Sequence, residues 1–211
     1  MTLSTRPFNL LAIDTTGAPL SLALQSGEGV LTFDRELARP HDETLLPQAT
    51  RLLKKARLAW RDLDALAVAS GPGRFTGIRI GMSFAAVLAG RMGIPALALS
   101  RFEALAAKTP GESVCAVLPG WRDEMFYQLF RRNGRGIRPA QPPVWASPQQ
   151  WAQARREFTA CGAVLAEAAV RAQDLLACAA RLLGRQRRPP FEPLYLKPAS
   201  YELKHKAGAP R

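Results

Sequence analysis

The sequence predicts an α/β protein whose first half has the order βββαβαβα around one mixed sheet. Three observations carry that prediction. Residues 10–13, 20–24 and 30–33 are short apolar or alternating runs separated by the turn-forming segments DTTGAP and SGEG, the pattern of a meander of two hairpins. ALAVA at 65–69 and GIPALALS at 93–100 are continuous apolar runs suited to strands buried on both faces. Between and after them, apolar residues recur at helical spacing, so crossover helices join parallel strands to the hairpins.

The first helix is expected over 41–58, where Leu45, Ala49, Leu52, Leu53 and Ala56 share one face. Asp42 is its expected N-cap, and Pro47 should lie near the first turn or bend the helix. The second helix follows SGPGRFTGIRIG at 70–81, with Ile78, Met82, Ala85 and Leu88 or Ala89 on one face. RFEALAAK at 101–108 reads as a short third helix. Residues 113–119 and 124–132 read as two strands, NGRG as a turn, and PAQPPVWASP as a proline-rich connector. Ser147 is expected to cap a helix with Pro148 at its first position. An alanine-rich helix is expected over 163–183. The expected organisation is therefore an N-terminal lobe over 1–108, a smaller, reduced lobe over 109–200, and a basic, disordered tail over 201–211.

The chain has 211 residues and a formal charge of +12, of which +8 falls on residues 111–211. Such a field suits RNA or an acidic partner, and equally an Arg-rich solvated surface. No run approaches about 18 apolar residues and the N-terminus lacks a signal-peptide core, so a soluble, cytoplasmic protein with no membrane contact is expected. Cys115, Cys161 and Cys178 form no CxxC pair and are expected to be buried structural thiols.

Little in the chain suits catalysis. The glycines at 71, 73, 77 and 81 match neither Walker nor dinucleotide spacing, and no lysine is placed to reach a phosphate. Gly71-Pro72-Gly73 suits a tight strand exit, and Gly77 and Gly81 lie on one helical face where they permit close approach of another backbone. His41 and His205 stand in no ligand motif and leave no base for a nucleophilic triad. No catalytic residue and no metal site is expected. Asp14, Thr15 and Thr16 could bind an anion through N–H groups and a hydroxyl, or could simply form a good hairpin turn.

The element order with AIDTTG at the first hairpin resembles the start of an actin-like (ASKHA, ribonuclease H-like) lobe, in which this turn holds phosphate and metal. GPGRFTGIRIG closely resembles the GPGSFTGLRIG motif of the TsaB family, proteins of threonylcarbamoyladenosine synthesis on tRNA. LLAIDTT, HDETLLP, LDALAVASGPG, GIPALALSRFEALA and EPLYLKP match that family in order, well over 9–108 and loosely over 109–200. The resemblance implies a non-catalytic partner that binds and activates TsaD together with TsaE, contacts tRNA indirectly, and forms a homodimer when its partner is absent. It implies a partner surface on the helices 41–58 and 75–90, with His41, Leu45, Leu46, Ala49, Leu53, Phe75, Thr76, Arg79, Met82 and Ala86 as contact residues. Asp14, Thr15 and Thr16 would be a vestigial phosphate loop, with no required cofactor and at most weak nucleotide binding at a lobe or partner interface. The family's DARRGEVY strand appears as PGWRDEMFY, with Pro119 and Trp121 at the expected Asp and Arg, which argues against ligand chemistry there. Arg131, Arg132 and Arg135 are candidates for guiding tRNA. Competing readings are an actin-like ATPase or kinase, a metallopeptidase homologue, and a stand-alone homodimeric interaction protein.

Overall fold

The computed structural model describes residues 7–27, 29–120, 122–134, 136–184 and 189–197. The expected tail, and with it His205, lies outside them, as do Trp121 and Arg135. The first half follows the order read from the sequence: β1 (Asn9–Asp14), β2 (Leu20–Ser26), β3 (Gly29–Arg35), α1 (His41–Lys55), β4 (Ala65–Gly71), α2 (Phe75–Met92), β5 (Ala96–Ser100) and α3 (Arg101–Lys108). These strands form one sheet ordered β3-β2-β1-β4-β5. The hairpin strands are antiparallel, and β1, β4 and β5 run parallel.

Alternation along β1 sorts the core into two layers. Leu11 and Ile13 point to one face, with Leu22, Leu66 and Val68, and are covered by Leu45, Ala49 and Leu53 of α1 and by Ile78, Met82 and Ala85 of α2. Leu10 and Ala12 point to the other face, where α3 and the last helix cover them. A second five-stranded sheet holds β6 (Ser113–Pro119), β7 (Met125–Asn133), β8 (Gly136–Pro139), β9 (Val144–Ala146) and β10 (Val164–Ala166). Phe126 and Phe130 of β7 join the core shared with the first sheet, while Tyr127 and Leu129 point to the opposite face under α4 (Pro148–Ala160). Ser147 caps α4 as read, its hydroxyl accepting from Gln150 N–H and the Gln150 side chain accepting from Ser147 N–H.

Four expectations change. Helix α1 begins two residues earlier than an Asp42 cap requires, so Asp42 and Glu43 sit in its first turn, where their negative charges complement the positive end of the helix dipole. Pro47 lies inside the helix; it and Glu43 are exposed, so the carbonyl that loses its partner faces water. Residues 163–183 are not one helix: Val164–Ala166 pairs parallel with β6, and α5 (Ala172–Leu183) starts only afterwards, sheet pairing having overridden alanine's helix preference. The proline-rich connector contributes β9, which pairs with β7. Cys115 and Cys178 are buried, and burial pushes the Cys115 thiol up to about 12 and raises that of Cys178, so both act as small apolar groups. Cys161, expected buried, is exposed where α4 ends. No helix among the described residues is long and apolar enough to cross a membrane.

Candidate functional site

Five of the six segments that carry the sequence resemblance meet at one place, the turn between β1 and β2. Asp14, Thr15 and Thr16 are each 1–3% exposed. One Asp14 oxygen, Oδ1, accepts from Thr16 N–H at 2.8 Å and from Thr16 Oγ1 at 2.6 Å. The other, Oδ2, lies 3.2 Å from Arg101 Nε, an ion pair slightly out of line for a hydrogen bond. A second Arg101 nitrogen donates to Pro72 O at 3.1 Å. Arg101 opens α3, where a cation opposes the helix dipole, and the Asp14 carboxylate offsets that penalty. Two donors that a phosphate loop would present, the Thr16 N–H and hydroxyl, are thus committed to Asp14.

The same turn seats both helices. His41 at the start of α1 places its ring nitrogens 3.1 Å from the carbonyl oxygens of Thr15 and Ala18. Arg74 N–H donates to Thr16 O at 2.8 Å, and Thr15 Oγ1 donates to Gly77 O at 2.7 Å. The glycines of α2 and of the segment before it answer this closeness. A Cβ on Gly77 would sit 2.1 Å from Thr15 O, one on Gly81 2.5 Å from Thr15 Oγ1, and one on Gly73 2.6 Å from Thr16 O. The close neighbour anticipated from the sequence is therefore this chain's own turn.

Apart from His41, which is half-buried against the turn, the expected contact residues divide into two sets. Leu45, Ala49, Leu53 and Met82 are 0–7% exposed beneath the first sheet's own core, so the reading that put them on a partner surface is corrected: one apolar stripe per helix was available, and it faces inward. Leu46, Phe75, Thr76, Arg79 and Ala86 are exposed. They lie on the outer sides of α1 and α2, and on α2 they continue through Ser83, Val87 and Gly90 at helical spacing. Val87, 71% exposed, is a residue the sequence reading missed; its signal was an aliphatic side chain one step off the buried stripe.

A cleft of about 1480 Å3 opens beside the turn, lined among others by Asp14, Arg74, Arg101, Glu124 and Lys197. Pro119 and Gly120 border it, so the described part of the altered segment lies at the cleft. Residues 194–197 of the EPLYLKP segment run along it: Leu194 N–H donates to Ser70 O at 2.8 Å, and Lys197 reaches Glu124 at 2.7 Å. Among the described residues, no three His, Cys, Asp or Glu side chains lie close enough to share a metal ion. Of the arginines considered for tRNA, Arg131 is exposed and faces Arg138 on the next strand. Arg132 is committed to Ala106 O, Thr109 O and Gly111 O, where it satisfies carbonyls at and just beyond the end of α3, so it is a structural residue.

The model of the family described as TsaD, tRNA N6-adenosine threonylcarbamoyltransferase, matches residues 27–177. Curated relatives include the tRNA threonylcarbamoyladenosine biosynthesis protein TsaB of Bacillus subtilis, 38% identical over 99 residues that cover 46% of this chain and 43% of that protein. TsaB of Escherichia coli is 32% identical over 133 residues, covering 61% of this chain and 57% of that protein. An uncharacterized protein of Mycobacterium leprae is 34% identical over 140 residues, 64% of this chain and 38% of that protein. In each of these the aligned stretch spans less than two thirds of the relative's length. Among solved structures, YeaZ from Pseudomonas aeruginosa superposes with a TM-score of 0.72 at 27% identity, covering 90% of this chain and all of that one. Another, from an uncharacterized protein described as similar to the peptidase YEAZ, gives 0.73 at 27% identity, with the same coverage. With the fold, the converging motifs and these matches in agreement, the chain belongs to the TsaB family, within the wider actin-like, ribonuclease H-like group that the TsaD model describes.

Proposed function

We propose that this chain serves tRNA threonylcarbamoyladenosine synthesis as a non-catalytic subunit. It docks the outer side of α1 and α2 onto the TsaD-type transferase of its host and favours that enzyme's active conformation, with TsaE joining the pair. The biosynthetic names of the curated TsaB relatives support the pathway. The outer stripe of α2 carries the docking reading: Phe75 at 52% and Val87 at 71% exposure, joined on α1 by Leu46 at 50%, are large apolar groups left in water. A homodimer through the same stripe forms when the transferase is absent.

The chemistry at the turn favours a subunit over a kinase or ATPase. Asp14, the carboxylate a phosphate-transferring site would need free for metal, is held by Arg101 and Thr16. Exposed Arg131 and Arg138 of the second sheet add positive field for tRNA approaching the complex. The test is made in cells whose own copy has been deleted, with threonylcarbamoyladenosine measured in digested tRNA. The wild-type chain restores the nucleoside, and Val87→Asp, folded by thermal melting, restores less than about a tenth of it, a charge at the centre of a docking patch being costly. Full restoration by Val87→Asp would remove the helix surface from the proposal.

A further inference from the structure

We infer that the C-terminal arm completes the docking surface: Tyr195 and Phe75 hold the Arg79 guanidinium as a fixed fork that receives a carboxylate from the protein partner. The inference rests on the reading that α2 faces that partner.

The arm is tied down on both sides of Tyr195. Before it, Phe191 packs against the core under α1 and α2, and Leu194 bonds to Ser70. Gly71, at φ 120°, is what lets the arm pass, since a Cβ there would lie 2.8 Å from Leu194 O. After it, Leu196 joins the core between the sheets, and Lys197 pairs with Glu124. Held this way, the Tyr195 ring stands 4.8 Å from Phe75, and the Arg79 guanidinium carbon lies 3.9 Å above the Phe75 ring centre. Arg79 Nε donates to the Tyr195 hydroxyl at 3.2 Å.

An exposed arginine ordinarily samples many rotamers and loses that freedom on binding; this one is already oriented by cation–π and hydrogen-bond contacts. Among the described residues its two terminal nitrogens have no partner, and their parallel N–H groups match the two oxygens of a carboxylate. A phosphate has the same geometry. A nucleic-acid backbone over this spot, however, would leave Phe75 and Val87 wet, whereas a protein bearing an acidic side chain beside apolar ones covers both.

The test titrates the full chain with the host's purified TsaD protein by calorimetry. Tyr195→Ala and Arg79→Lys should each weaken binding about tenfold, with Tyr195→Phe between them and wild type, because lysine cannot reproduce the fork. Thermal midpoints should stay within about 2 °C, as is usual for exposed positions. Val87→Asp separates the two levels. If it abolishes binding while Tyr195→Ala and Arg79→Lys bind as wild type does, the fork is wrong and the helix surface stands. If all three bind as wild type does, both are wrong. Loss of tRNA binding in Arg79→Lys with unchanged TsaD affinity would assign the fork to nucleic acid and overturn the proposal.

Discussion

Gly77→Ala is expected to cost about 3 kcal/mol and to lower the thermal midpoint by roughly 10 °C, the scale of overpacking a tight site in a chain of this size. The methyl group would meet Thr15 O at 2.1 Å, with Thr15 C and Thr16 Cα within 3.3 Å. All three are backbone atoms of a buried turn that is also bonded to His41 and Arg74. No side chain can swing aside, so either α2 lifts from the sheet or the turn deforms. Gly90 supplies the contrast within the same helix. A Cβ there meets nothing within 4 Å, so Gly90→Ala should stabilise by about 0.5–1 kcal/mol through helix propensity alone. Opposite signs for one substitution on one helix, read by differential scanning calorimetry, test the packing of α2 on the turn independently of any partner.

Asp14→Ala is expected to cost about 3–5 kcal/mol, the range for removing one member of a buried ion pair. It strands the Arg101 side chain, 13% exposed, and leaves Thr16 N–H and hydroxyl without their acceptor. Asp14→Asn should cost less than Asp14→Ala, because its amide oxygen still accepts from Thr16, while the charge on Arg101 goes unanswered in both. Urea unfolding of the three proteins measures both values. A cost below about 1 kcal/mol for Asp14→Ala would mean that the carboxylate is not what holds the turn, and would return it to the pool of groups free for a ligand.

Much of the fold was legible because its signals are local. Apolar runs broken by turn residues located β1 to β5, and a Ser-Pro pair located the start of α4. Residues 163–166 were misread because alanine's helix preference is local, while the β6 edge that captures this segment is some 50 positions away in the chain. The site was legible as a set of motifs but not as contacts. Helical periodicity identified one apolar stripe on α1 and one on α2, and without a structure the stripe could be assigned to a partner; the sheet beneath it claims Leu45, Ala49, Leu53 and Met82. The informative surface residues lie off that stripe, at Leu46 and Val87. Gly77 and Gly81 were correctly read as permitting close approach, yet only the fold shows that Thr15 is what approaches. Arg101 had a usable signal, a cation at the first position of a helix, but the carboxylate that answers it is supplied from β1.

Direct titration of this chain with the TsaD protein of its host tests the central claim most directly. The account predicts a one-to-one complex with the wild-type chain, and at least about hundredfold weaker binding when Val87 becomes Asp and Leu46 becomes Glu together. Wild-type affinity in that double variant, with its fold intact, would contradict it.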